Sequence, residues 1–87
     1  MLINYISRAM RRVHTAFGLT LVQLRALKGM SQEAVARATG LDRTFISLME
    51  RGHRQPTITT IVILADALDT PLKEMIARFE KNLRATL

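Results

Sequence analysis

SQEAVARATGLDRTFISLMERG, residues 31–52, is the stretch whose reading decides the fold. Ser31 suits a helix N-cap, because its hydroxyl can accept from N–H groups that the first turn leaves unpaired. Gln32 and Glu33 follow at the positive end of the helix dipole. Val35 and Ala36 then face inward, with Ala36 small enough for a close helix crossing. Gly40 stands where the chain must turn, and glycine accepts the positive φ that ends a helix. Asp42 is a second N-cap. Ile46 and Met49, three apart, give the next helix its apolar face, and Gly52 closes it.

The flanks continue the helical pattern. Leu2, Ile6, Ala9, Met10 and Val13 recur on one face, with Arg8, Arg11 and Arg12 elsewhere, so residues 1–15 read as an amphipathic extension. Leu21, Leu24 and Leu27 point inward from a helix that begins near Phe17 and ends at Gly29. Gly18 leaves open whether these two segments are continuous. HRQPT at 53–57 is a loop: Pro56 disfavours helix at Gln55, and Thr57 can cap the next helix. Ile58, Ile61, Val62, Leu64, Ala65 and Leu68 predict that this helix is largely buried. Asp69 and Thr70 stop it, and Pro71 suits the first position of another. The last helix carries Leu72, Met75, Ile76, Phe79 and Leu83 on one face. Lys73, Arg78, Lys81 and Arg84 lie largely off it. The pattern predicts an all-α chain: an extension over 1–15 and a single domain over 16–87.

Composition narrows the function. The chain has 87 residues, 13 Lys and Arg against 7 Asp and Glu, and a net charge of +6. That balance favours a polyanionic partner, nucleic acid first and an acidic membrane surface second. The absence of cysteine removes disulfides, thiolate metal sites and cysteine nucleophiles, and fits the cytoplasm. No apolar run approaches bilayer length, and the opening MLINYISRAMRRV places its charge after its apolar residues, unlike a secretory signal. The two histidines are far apart, and no paired carboxylates, phosphate-cradling glycine loop or metal-ligand spacing is present. An enzyme, a cofactor or a metal site is therefore not expected.

Two capped helices about a glycine turn, with Ala36, Gly40, Ile46 and Met49 at these intervals, have the spacing of a helix-turn-helix. On a basic chain this points to the major groove of DNA. The surrounding residues extend the match: FG at 17–18, Leu24 and Arg25, KGMSQ at 28–32, ISLMERG at 46–52, Pro56 and Thr57, then Leu64, Ala65 and Leu68. From residue 17 to about 79 the chain resembles the lambda-repressor/Cro-like helix-turn-helix family, also called the XRE family. The resemblance implies a five-helix, all-α domain that binds operator DNA as a dimer. The 1–15 helix lies outside the common pattern as an addition to it. LDRTFIS at 41–47 is similar to the recognition segment of restriction–modification controller proteins.

The residue types suit this work. Arg43 and Thr44 follow the Asp42 cap at the end that enters the groove, with Ser47 one turn on. Arg43 can bridge a guanine edge, and Thr44 can bond a base or touch a thymine methyl. A phosphate contact is the alternative for Arg43. By resemblance Gln32 lies against a phosphate, and the loop after the recognition helix runs along the backbone, which makes Arg54 a phosphate or minor-groove candidate and Thr57 a phosphate contact. Leu48 either touches a thymine methyl or packs sideways against Leu41 and Phe45. The resemblance also pairs Arg25 with Glu50, tying the first family helix to the recognition helix; direct phosphate contact is the alternative for Arg25.

A homodimer is expected, because one recognition helix reads too few base pairs for a genomic site. Met75, Ile76, Phe79 and Leu83 are its candidate interface, with Leu2, Ile6 and Met10 as a second surface. The other functional reading is an antitoxin, which neutralises a toxin partner and binds its own operator. A membrane-surface role for the basic N-terminal helix is a third. No small-molecule substrate is indicated.

Overall fold

The computed structural model describes residues 2–86, with side chains from residue 5 onward. Five helices follow in order: α1 Leu2–Lys28, α2 Gln32–Thr39, α3 Arg43–Glu50, α4 Ile58–Ala67 and α5 Leu72–Ala85. No strand occurs among the described residues.

The extension is the first half of α1, not a sixth element. The expected boundary at residue 15 falls inside this 27-residue helix. Gly18 does not interrupt it. A mid-helix glycine costs only about 1 kcal/mol against alanine, and its lack of a side chain has a use here. A Cβ at Gly18 would lie 2.6 Å from the carbonyl oxygens of both Met49 and Glu50. The close crossing is therefore between α1 and the C-terminal end of α3.

The expected caps form. The Ser31 hydroxyl accepts from Ala34 N–H at 3.0 Å, the Asp42 carboxylate from Thr44 N–H at 2.9 Å, and the Thr57 hydroxyl from Thr60 N–H at 3.2 Å. Gly40 ends α2 at φ 76°, in the left-handed region. Pro71 is the N-cap of α5 and not its first helical position, which Leu72 takes.

Phe17, Leu21 and Leu24 of α1 meet Val35, Ile46, Met49, Leu64, Leu68 and Met75 in one core. Burying each large side chain contributes about 1.5–3 kcal/mol against leaving it in water. α1 packs most extensively on α5, the last element of the chain. A buried polar seam crosses this packing: Asn82 Nδ2 donates to Thr20 Oγ1 and to Gln23 Oε1, each at 2.9 Å. Thr20 Oγ1 in turn donates to the Ala16 carbonyl at 2.7 Å. Arg12 Nε donates to the carbonyls of Leu83 and Thr86, at 3.2 and 2.8 Å. It thereby satisfies acceptors that the end of α5 leaves open.

Three inward assignments are corrected. Leu27 is 65% exposed. Each three-residue step falls about 60° short of a full turn, so the Leu21–Leu24–Leu27 series drifts off the core face. Ile58 and Val62 are 68% and 40% exposed, Ile58 at the first position of α4 and Val62 well around the helix from Leu64 and Leu68. The Leu2 side chain lies outside the described residues. Ile6 and Met10 are exposed.

Candidate nucleic-acid interface

α3 is amphipathic in a way that fixes what it shows to solvent. Ile46 and Met49 are fully buried, and Phe45 packs against the core from its edge. Opposite them, Arg43 and Thr44 are exposed, and Ser47 is half-buried one turn on. The structure brings these three sequence-nominated residues onto one side of the helix. Arg51 joins them from the end of the helix, exposed, with Nε 3.5 Å from the Ser47 carbonyl. Its interval from Thr44 and Ser47, seven and four residues, was the signal that it shares their face.

A clamp holds this helix against its neighbours. Arg25 Nε donates to Glu50 Oε2 at 2.5 Å and Arg25 Nη2 to Glu50 Oε1 at 2.9 Å, a two-pronged pair. Arg25 Nη1 also donates to the Met30 carbonyl at 3.0 Å. Gln32 Nε2 donates to Glu50 Oε1 at 2.8 Å. Helices α1, α2 and α3 thus converge on one carboxylate. The Glu50 side chain is 6% exposed and that of Arg25 20%. Hydrogen bonding to Glu50 raises the Arg25 pKa above its ordinary value; burial opposes this and the Glu50 charge assists it. The pairing closes off the Glu50 charge beside a surface carrying Arg43, Arg51 and Arg54.

Gln32 is therefore not solely a surface group. One N–H of its side-chain amide is committed to Glu50, leaving the second and the backbone N–H at the start of α2. Arg54 is exposed in the loop after α3. Thr57 is exposed at the start of α4, and its oxygen serves as the cap there. The neighbouring Gln55 is fixed to α1: His14 Nε2 and Gln55 Oε1 lie 2.8 Å apart. Nothing local in the sequence signals this pairing, which joins residues 41 positions apart.

The candidate dimer residues separate. Met75 is fully buried beneath α5 and belongs to the core, so it is corrected out of the exposed set. The apolar stripe of α5 spans more than the surface it leaves free, and Met75 lies at its centre. Phe79 is half-buried, with its ring centroid 6.3 Å from that of Phe17. Leu83 is half-buried beside the Arg12 contact. Ile76 is 40% exposed, and Leu72 one turn before it is equally so. Ile76 and Phe79 share a cavity of 80 Å³ with Ile61 of α4 and Pro56.

The geometry is that of two short, capped helices with the second presented to solvent. A family model described as Helix-turn-helix (HTH_3) matches residues 21–75. The chain belongs to this family. Among similar helix-turn-helix proteins is control protein C.SmaI of Serratia marcescens, 41% identical over 54 residues. That match spans 62% of this chain and 64% of C.SmaI. Control protein C.MunI of Mycoplasma sp. is 33% identical over 74 residues, spanning 84% of this chain and 100% of C.MunI. The solved structure of the restriction–modification controller protein C.AhdI from Aeromonas hydrophila is similar at 42% identity and a TM-score of 0.68. It covers 71% of this chain and 94% of that one. The controller protein C.Esp1396I, solved as a tetramer with its natural 35 base-pair operator, matches at 28% identity and a TM-score of 0.77. There the shares are 83% of this chain and 95% of C.Esp1396I. The family is one of transcription regulators. Among the described residues no helix is long and apolar enough to cross a membrane.

Proposed function

We propose that this chain is a transcriptional regulator of the restriction–modification controller type, binding a two-fold operator in duplex DNA as a homodimer. The observation that carries this reading is the solvent-facing side of α3. It presents Arg43, Thr44 and Ser47 from a helix whose other side is locked into the core and whose end is clamped to α1 and α2. The controller relatives, one of them solved on its operator, support this over the antitoxin reading. The role is binding, not catalysis, and its place of work is the cytoplasm, where the DNA is.

In this reading Arg43 contacts a guanine edge, while Thr44 and Ser47 complete the base-reading set. Gln32, through its remaining N–H groups, Arg54 and Thr57 hold backbone phosphates and set the register. The Glu50 clamp aims α3 without touching DNA. Two protomers place their α3 helices about 34 Å apart, one helical turn of DNA. Their contact is the apolar surface of Leu72 and Ile76 on α5, with Phe79 and Leu83 at its edge.

Selection from a pool of random duplexes tests the reading. The expected outcome is an enriched site with two related half-sites. Arg43→Ala should relax preference at one base of each half-site by about 1–3 kcal/mol. Arg54→Ala should weaken selected and random duplexes alike, because phosphates carry no sequence. A wild-type chain that enriches no sequence refutes the proposal.

A further inference from the structure

The first acidic residue of the chain is Glu33; before it the charged residues are Arg8, Arg11, Arg12, Arg25 and Lys28. Three of these five have structural partners. Arg25 is held by Glu50, Arg12 by the carbonyls at the end of α5, and Lys28 donates to the Asp69 carbonyl at 3.2 Å. Arg8 and Arg11 are exposed, and neither has a hydrogen-bond or ion-pair partner among the described residues. They line an open groove with Tyr5, Thr15 and Thr86, and no acidic side chain borders it.

The direction of this groove gives it meaning. Arg8, Arg11 and Thr15 lie at intervals of three and four residues, so they form one stripe along α1. The stripe ends against the loop beyond α3: a Cβ built on Gly52 would lie 3.6 Å from Thr15 Cα. His14 fastens the same loop through Gln55. Gly52 is flanked by the exposed Arg51 and followed by the exposed Arg54. The arginines of α1 therefore continue the basic surface of the recognition segment. From Arg8 to Thr15 the helix rises about 10 Å, roughly three nucleotide steps of a DNA strand. The family match spans residues 21–75, and the arm that carries Arg8 and Arg11 precedes it.

We propose that Arg8 and Arg11 bind backbone phosphates of DNA flanking the bases read by α3. The guanidinium group suits this task, because its planar set of donors bridges two phosphate oxygens. The inference rests on the DNA-binding reading above and adds a contact to it. The arm lengthens the footprint of each protomer and adds affinity that carries no sequence preference.

The test uses the full chain and two duplexes, one trimmed to the selected site and one extended by flanking base pairs. Binding is measured against salt concentration for wild type, R8Q/R11Q and R8K/R11K. Wild type should show a steeper salt dependence on the extended duplex, by about 1.8 in the log–log slope per protomer for two phosphates. R8Q/R11Q should lose that increment while keeping its base preference and unfolding temperature. R8K/R11K should retain it. Equal slopes for wild type and R8Q/R11Q on the extended duplex overturn the proposal. So does a loss in R8Q/R11Q of equal size on both duplexes, which would place the arginines in folding or dimerisation. Tighter arginine-dependent binding to phosphatidylserine vesicles than to duplex would assign the arm to a membrane and overturn it as well. If wild type selects no sequence, the operator reading fails separately. The arm is then judged on a random extended duplex, where R8Q/R11Q should still lower the slope.

Discussion

Gly18 shows how much one missing side chain can decide. A Cβ there would meet two backbone carbonyls at 2.6 Å, and backbone cannot swing aside as a flexible side chain can. Gly18→Ala should therefore destabilise the domain although alanine favours helix by about 1 kcal/mol. The expected net loss is about 1–3 kcal/mol, the usual range for overpacking, read from urea unfolding. A neutral or stabilised variant would show that the α1–α3 crossing relaxes freely. The sequence marked this glycine only as a possible break in α1. Caps at Ser31, Asp42 and Thr57 were legible because a cap involves residues two or three apart. The Gly18 contact spans more than thirty positions, and periodicity says nothing about which backbone lies opposite.

Among elements, α3 depends on α1 and α2 for its orientation. Its eight residues are too few to hold a helix alone in water. Glu50→Ala would remove the acceptor of two Arg25 donors and of the Gln32 amide at once. Water reaches part of Arg25, so the loss should fall below that of a fully buried pair, at about 2 kcal/mol. The change also removes a negative charge, and long-range attraction alone would tighten DNA binding. We expect weaker binding instead, since the end of α3 would lose its anchor; titration at fixed salt decides between the two. This pair entered the sequence reading through the family resemblance, because no local pattern joins residues 25 apart. The exposed side of α4 was not legible. Helical spacing located the apolar residues Ile58 and Val62, but which neighbours cover them is a property of the assembled layers.

At the scale of the whole molecule, the proposed dimer joins through the apolar side chains that α5 leaves uncovered. Ile76→Glu introduces a charge at a site 40% exposed in the single chain, so the fold should survive. Sedimentation should then show a folded monomer where the wild type is a dimer, and operator affinity should fall sharply. A variant that still dimerises would move the contact away from α5. The all-α class and the core residues Leu21, Leu24, Val35, Ile46 and Met49 were readable in advance because their spacing matches the helix period. Their partner across the core was less so: the α5 stripe could not say that Met75 turns inward while Ile76 turns out. The joining of α1 to α5 has a further consequence for how the protein is made. Arg12 bonds carbonyls 71 and 74 positions later, and Thr20 bonds an amide 62 positions later. While the chain is still being synthesised, the apolar side of α1 is out before the helix that will cover it. The last turns of α5 must leave the ribosome before that seam can close, so α1 waits for its partner through most of the domain's synthesis.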